Sequence, residues 1–142
     1  MTAAAVRSFG GLKVLVLEDE ALVSMLIEDM LIAMGCEVIG PFLRIDRVRE
    51  FLQRGGAGGV DFALIDVNVG GVRSFGVAAE LVQAGIPFIF VTGYDEPGID
   101  ERWRSWPRLR KPVMPEDLLA ALDGHFSAVR AQDRQQDRQA AG

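Results

Sequence analysis

Short aliphatic runs that do not alternate with polar residues recur along this chain, and they constrain its fold more than any other feature. They are LKVLVL at 12–17, CEVIG at 36–40, DFALIDV at 61–67 and IPFIFV at 86–91. A run of that length is too short for an ordinary helix. Without alternation it reads as a strand buried on both faces, the condition of a parallel sheet. Helical periodicity fills the gaps. EALVSMLIEDMLIAMG places Val23, Ile27, Met30, Leu31 and Met34 on one face and stops at Gly35. A second helix is predicted over 46–54, ended by the GGAGG breaker, and a third carries Phe75, Ala78, Ala79 and Val82 and stops at Gly85. A weaker helix over 99–106 has Ile99, Trp103 and Trp106 at i, i+4 and i+7, and a very short strand follows at 108–110. The last helix opens with Pro115, Glu116 and Asp117 and buries Leu118, Leu119, Leu122 and Phe126. Five strands alternating with five helices predict an α/β fold, a five-stranded parallel sheet with helices on both faces.

With 142 residues the chain has room for one domain. Residues 1–10 read as a flexible lead-in, 11–130 as the domain, and the polar end AQDRQQDRQAAG at 131–142 as a disordered tail. A net charge of −5 argues against a nucleic-acid partner, which normally meets a basic face. One cysteine, Cys36, excludes a disulfide framework and suits a reducing cytoplasm, and a single histidine, His125, excludes histidine-cluster zinc chemistry. The N-terminus lacks the apolar stretch of a signal peptide and the longest apolar runs fall short of a membrane span, so a cytoplasmic protein with no membrane partner is expected.

Right-handed crossovers bring the C-terminal ends of all parallel strands to one edge, where sites of open α/β sheets form. The polar residues ending the predicted strands are Glu18, Asp19 and Glu20, then Asp66, Thr92 and Lys111. Several carboxylates at one edge favour a cation, and an all-oxygen set without His or Cys selects a hard divalent ion such as Mg²⁺. An aspartate closing the apolar ALID run is then a candidate nucleophile. A hydroxyl and an ammonium opposite it suit the charge on a transferred phosphoryl group. The chemistry read from these residues is phosphoryl transfer to Asp66, assisted by Mg²⁺.

From about Leu12 to Phe126 the sequence resembles a response-regulator receiver domain, through VLVLEDE, ALIDVNVGG, PFIFVTGYDE and RKPV. The resemblance implies a flavodoxin-like (βα)5 fold in which Asp66 accepts a phosphoryl group. It implies Asp19 as a direct Mg²⁺ ligand, Glu18 acting through water, and Asn68 lending its backbone carbonyl. It also implies that Thr92 and Lys111 each bond a phosphoryl oxygen, with a cis Lys111–Pro112 bond. IDVNVGG with PFIFVTGYD is similar to the PFxFATGY signature of stand-alone receivers found mainly in alphaproteobacteria, with Val91 in place of the usual alanine. Arg108 stands where many members carry a switch Tyr or Phe, which leaves Tyr94 as the candidate mobile aromatic. The implied function is that of a single-domain response regulator of a two-component phosphorelay. It would take phosphate from a histidine kinase or histidine phosphotransfer protein and catalyse its own phosphorylation and dephosphorylation rather than act as a conventional enzyme. It would signal through an unidentified downstream protein or serve as a phosphate sink.

Two other functions compete with this one. An unphosphorylated receiver-like binding module would have no need of Asp19, Asp66, Thr92 and Lys111 together. An aspartyl-phosphate phosphatase usually needs a second acid two residues after the nucleophile, and Asn68 stands there. Trp103, Trp106 and Arg108, with Arg102, Arg104 and Arg110, admit two readings: core-facing tryptophans with solvated arginines, or a partner-binding face, since Trp and Arg dominate interface hot spots. The GGAGG run lacks the Lys-Ser/Thr that completes a phosphate-binding loop and reads as a connector.

Overall fold

The structure is a computed structural model, and it describes residues 9–93 and 99–125. The chain divides into two units, Met1–Pro112 and Val113–Gly142. In the first, strands β1 (Lys13–Leu17), β2 (Glu37–Phe42), β3 (Phe62–Asp66), β4 (Phe88–Thr92) and β5 (Arg108–Arg110) form one sheet in the order β2-β1-β3-β4-β5. Every neighbouring pair is parallel, with Leu17 opposite Ile65, Asp66 opposite Val91 and Thr92 opposite Arg110. Helices α1 (Ala21–Ala33), α2 (Ile45–Gln53) and α3 (Phe75–Ala84) connect the first four strands. In the second unit, helix α4 occupies residues 115–125, with Leu118 and Leu122 buried. The predicted burial of Phe126 and the expected tail at 131–142 lie outside the described residues.

The strands are hydrophobic because both their faces are covered. β3 and β4 are buried at every position. On one face Leu15, Leu17, Ala63 and Ile65 pack with Val48 of α2 and with Val77, Ala78 and Leu81 of α3. Side chains alternate across a strand, so Val14, Val16 and Leu64 look the other way, toward the side that α1 covers with Ile27 and Leu31. The strand order reverses direction between β1 and β3. The crevice that opens at such a reversal, beyond the C-terminal strand ends, is where ligands bind in this architecture.

Several local expectations give way to tertiary context. β2 does not close at Gly40 but runs through a cis Gly40–Pro41 bond to Phe42. Proline is tolerated there because β2 is an edge strand, and its pairing with β1 is irregular at that point: Leu15 faces Ile39 and Leu17 faces Phe42. The predicted helix over 99–106 is a single 3-10 turn, Glu101–Trp103. Asp100 accepts from the Arg102 N–H and starts the turn, and the chain then folds inward so that Trp103 enters the core. On α3 the buried positions are Val77, Ala78 and Leu81, while Val82 is exposed. Phe9, within the expected lead-in, is buried. The GGAGG connector is not shapeless, for Gly56–Gly59 makes one 3-10 turn.

Candidate functional site

β1 and β3 are adjacent, so the residues that follow their last paired positions emerge side by side. Glu18 follows Leu17 and Asp66 follows Ile65, with Leu17 and Ile65 in register. The Glu18 and Asp66 side chains are almost fully buried, at 1% and 5% exposure. β5 delivers Lys111, whose backbone N–H donates to the Thr92 carbonyl at 2.8 Å. The Lys111 Nζ donates to Glu18 Oε1, Glu20 Oε1 and Asp66 Oδ2, each at 2.9 Å. The Lys111–Pro112 bond is cis, as the resemblance implied.

A short hairpin closes the site from the side. Asn68–Val69 and Val72–Arg73 pair antiparallel around Gly70 and Gly71, both with positive φ (59° and 84°). Two consecutive positive-φ residues make the tight hairpin turn whose twist matches the flanking strands, and glycine adopts it without steric cost. The Asn68 N–H donates to Asp66 Oδ1 at 3.2 Å, and the Gly70 N–H donates to Asp19 Oδ2 at 2.9 Å. The hairpin therefore holds two of the site's carboxylates through backbone donors. A cleft of about 210 Å³ lies over them, lined by Asp19, Glu20, Asp66, Asn68, Gly71, Gly93 and Lys111.

Four carboxylates meet one ammonium here. Burial pushes the Glu18 pKa up from 4.5 to about 8, and the hydrogen bond and negative charge of Asp66 add to that, against the pull of Lys111. Burial also works against the charged form of Lys111, but the hydrogen bonds to Asp66, Glu18 and Glu20 outweigh it and raise its pKa. One oxygen of each of Glu18, Asp19, Glu20 and Asp66 lies within 4.8 Å of the others. Glu18 Oε2 is buried with no hydrogen-bond partner among the described residues. An all-oxygen, carboxylate-rich set with an orphaned buried oxygen fits a hard dication of the Mg²⁺ type.

The fold has close counterparts among solved structures. The solution structure of SdrG from Sphingomonas melonis Fr1 is 34% identical and superposes with a TM-score of 0.69, covering 79% of this chain and 93% of that one. A BeF3-activated conformation of SdrG from Pseudomonas melonis Fr1 is 31% identical over 85% of this chain and 96% of that one, with a TM-score of 0.66. The receiver domain of the PhyR response regulator from Erythrobacter litoralis is 25% identical over 82% of this chain and 91% of that one, with a TM-score of 0.69. This chain belongs to the response-regulator receiver family. No protein-family model matches it, and no curated protein is similar to it.

Within this receiver the residues named from sequence do not all sit alike. Glu18, Asp66 and Lys111 are in direct contact, and Asp19 and Asn68 line the same cleft. Thr92 is buried at the end of β4, while its neighbour Gly93 lines the cleft. Tyr94 lies outside the described residues. Trp103, 2% exposed, is not a surface residue: it packs with Phe75, Phe88, Phe90 and Trp106 in the core, so it offers no direct contact to a partner. Trp106 is half-buried and stacks on Phe88, and Arg108 is exposed with its guanidinium on the Arg104 carbonyl.

Two features escaped the reading of site residues from sequence. Glu20 was placed at the strand-end edge but not given a role, and it is a direct partner of Lys111. The hairpin is the second, and its signal in the sequence is Gly70-Gly71 between Val69 and Val72. The exposed face of α1 is apolar as well, with Leu22, Met25, Leu26 and Ile32 in solvent. No helix among the described residues is long and apolar enough to cross a membrane.

Proposed function

We propose that this receiver accepts a phosphoryl group on Asp66 from a phosphohistidine of a histidine kinase or histidine phosphotransfer protein. The observation that carries the reading is the pairing of Asp66 with Lys111 at 2.9 Å inside a carboxylate cleft at the sheet's reversal point. An Asp66 oxygen attacks phosphorus, the P–N bond of the donor breaks, and the imidazole leaves with that bond's electron pair. Lys111 draws the charge of a phosphoryl oxygen, and the Asn68 N–H orients the Asp66 carboxylate from the other side. Asp19, Asp66 and Glu18, with the Asn68 carbonyl, would hold Mg²⁺, which neutralises charge as phosphoryl oxygens and carboxylates come together. Thr92 ends the neighbouring strand and Gly93 follows it, where a hydroxyl and room for the group are both useful.

Signalling then runs through protein contacts, to an unidentified downstream protein or by draining phosphate from a shared relay. The exposed apolar face of α1, a helix that starts one residue after Glu20, gives a protein partner a surface beside the site. A cytoplasmic location suits the single buried thiol, Cys36, whose pKa burial raises to about 11 and which is therefore a poor nucleophile. The reading is tested by intact mass after incubation with acetyl phosphate and Mg²⁺. One phosphate adduct, lost with EDTA and absent in Asp66→Asn, is the expected result. Continuous turnover of a generic phosphomonoester would instead favour a phosphatase.

A further inference from the structure

Lys111 has three ammonium N–H donors, and all three are committed to carboxylates at 2.9 Å. A phosphoryl oxygen arriving beside Asp66 therefore meets a saturated ammonium, and one of the three bonds has to open before Lys111 can pair with it. The three are unequal. Glu18 is 1% exposed, so losing the lysine would leave a buried carboxylate with one N–H donor among the described residues, from Glu20 at 3.2 Å. Asp66 is the group that the phosphoryl joins. Glu20 is 61% exposed, and water replaces the ammonium there at little cost.

A second observation concerns the same side chain. Glu20 is the N-cap residue of α1, where a carboxylate ordinarily accepts from the first-turn N–H groups, yet it makes no capping bond. Its carboxylate is turned to Lys111 instead. We propose that Glu20 is a positioning residue that holds Lys111 in the resting protein and releases it to the incoming phosphoryl oxygen. The proposal rests on the reading of Asp66 as the phosphoacceptor. The hand-over exchanges one N–H···O hydrogen bond for another and moves no proton.

The test compares wild type with Glu20→Ala and Glu20→Gln at saturating Mg²⁺. The alanine costs no cap, because Glu20 makes none. The rate of adduct formation is followed by intact mass against acetyl phosphate concentration, and Lys111 Nζ–H exchange is read by ¹⁵N NMR. Glu20→Ala is expected to reach half-maximal rate at about two- to fivefold lower acetyl phosphate, the range for losing an exposed ion pair, with Glu20→Gln between it and wild type. Lys111 Nζ–H exchange should quicken, the half-saturating Mg²⁺ should stay unchanged, and the gain should persist at 1 M NaCl, where charges are screened beyond about 3 Å. A gain that disappears in high salt would mean simple repulsion of the anion by Glu20 and would overturn the proposal. So would a slower reaction needing more Mg²⁺, which makes Glu20 a metal ligand, or an unchanged rate with unchanged exchange. Absence of an adduct in wild type would remove the phosphoacceptor reading and this inference together, whereas the other three results remove this inference alone.

Discussion

Replacing Lys111 by methionine isolates the electrostatics of the site, since the stem is kept and only the ammonium is lost. The ammonium lies 2.9 Å from Glu18 and Asp66, both nearly inaccessible to water, and from Glu20, which is 61% exposed and contributes little. Removing one partner of a buried ion pair costs about 3–5 kcal/mol when the remaining charge stays ionised. Protonation of Glu18 moderates that figure. Its pKa in the folded protein, about 8, lies above the ordinary 4.5, so stability linked to its proton is complete below 4.5 and is lost as pH rises through 8. Without Lys111 its folded pKa rises further and the loss continues into alkaline pH. The substitution should therefore cost about 2 kcal/mol at both pH 5 and pH 7, where Glu18 stays largely protonated, and about 1.4 kcal/mol more at pH 9, one unit above its pKa. At pH 7 that corresponds to a fall in Tm of roughly 4–8 °C for a chain of this size. Urea unfolding of both proteins at the three pH values, without divalent ions, measures it. Equal losses at pH 5 and pH 9, or a more stable mutant at pH 9, would refute the reasoning.

Trp103→Ala removes the centre of the aromatic cluster formed with Phe75, Phe88, Phe90 and Trp106, and should cost about 3–5 kcal/mol in urea unfolding. A cost under about 1 kcal/mol would contradict its place in the core. The double substitution Leu22→Ser, Leu26→Ser lies on the exposed face of α1 and should change stability by no more than about 0.5 kcal/mol per site. Labelling by acetyl phosphate should be unaffected, while transfer from a phosphorylated histidine kinase should slow. Equal transfer rates would remove α1 as the donor's surface.

The aliphatic runs at 12–17, 61–67 and 86–91 were legible as strands because a strand buried on both faces needs apolar residues at every position, as β3 and β4 have. Asp66 stood out for the same reason, an acid at the end of ALI that burial makes costly without a partner. The turn over Glu101–Trp103 was not legible. Ile99, Trp103 and Trp106 have helical spacing, but the demand of Phe75, Phe88 and Phe90 for an aromatic partner draws the chain inward after one turn. Pro41 reads locally as a strand end and is permitted inside β2 only because β2 lies at the sheet's edge.

The sequence by itself determined the parallel sheet, the order of its elements and the residue types gathered at its C-terminal edge, because hydrophobic periodicity and crossover handedness are local or nearly local constraints. Only the tertiary structure decided which of those residues touch. The bonds from Lys111 to Glu18 and Glu20 cross more than ninety positions, and the bond from Asp19 to Gly70 crosses 51. Burial, which sets the charge on Glu18 and leaves Glu20 free to exchange with water, exists only once the strands have paired.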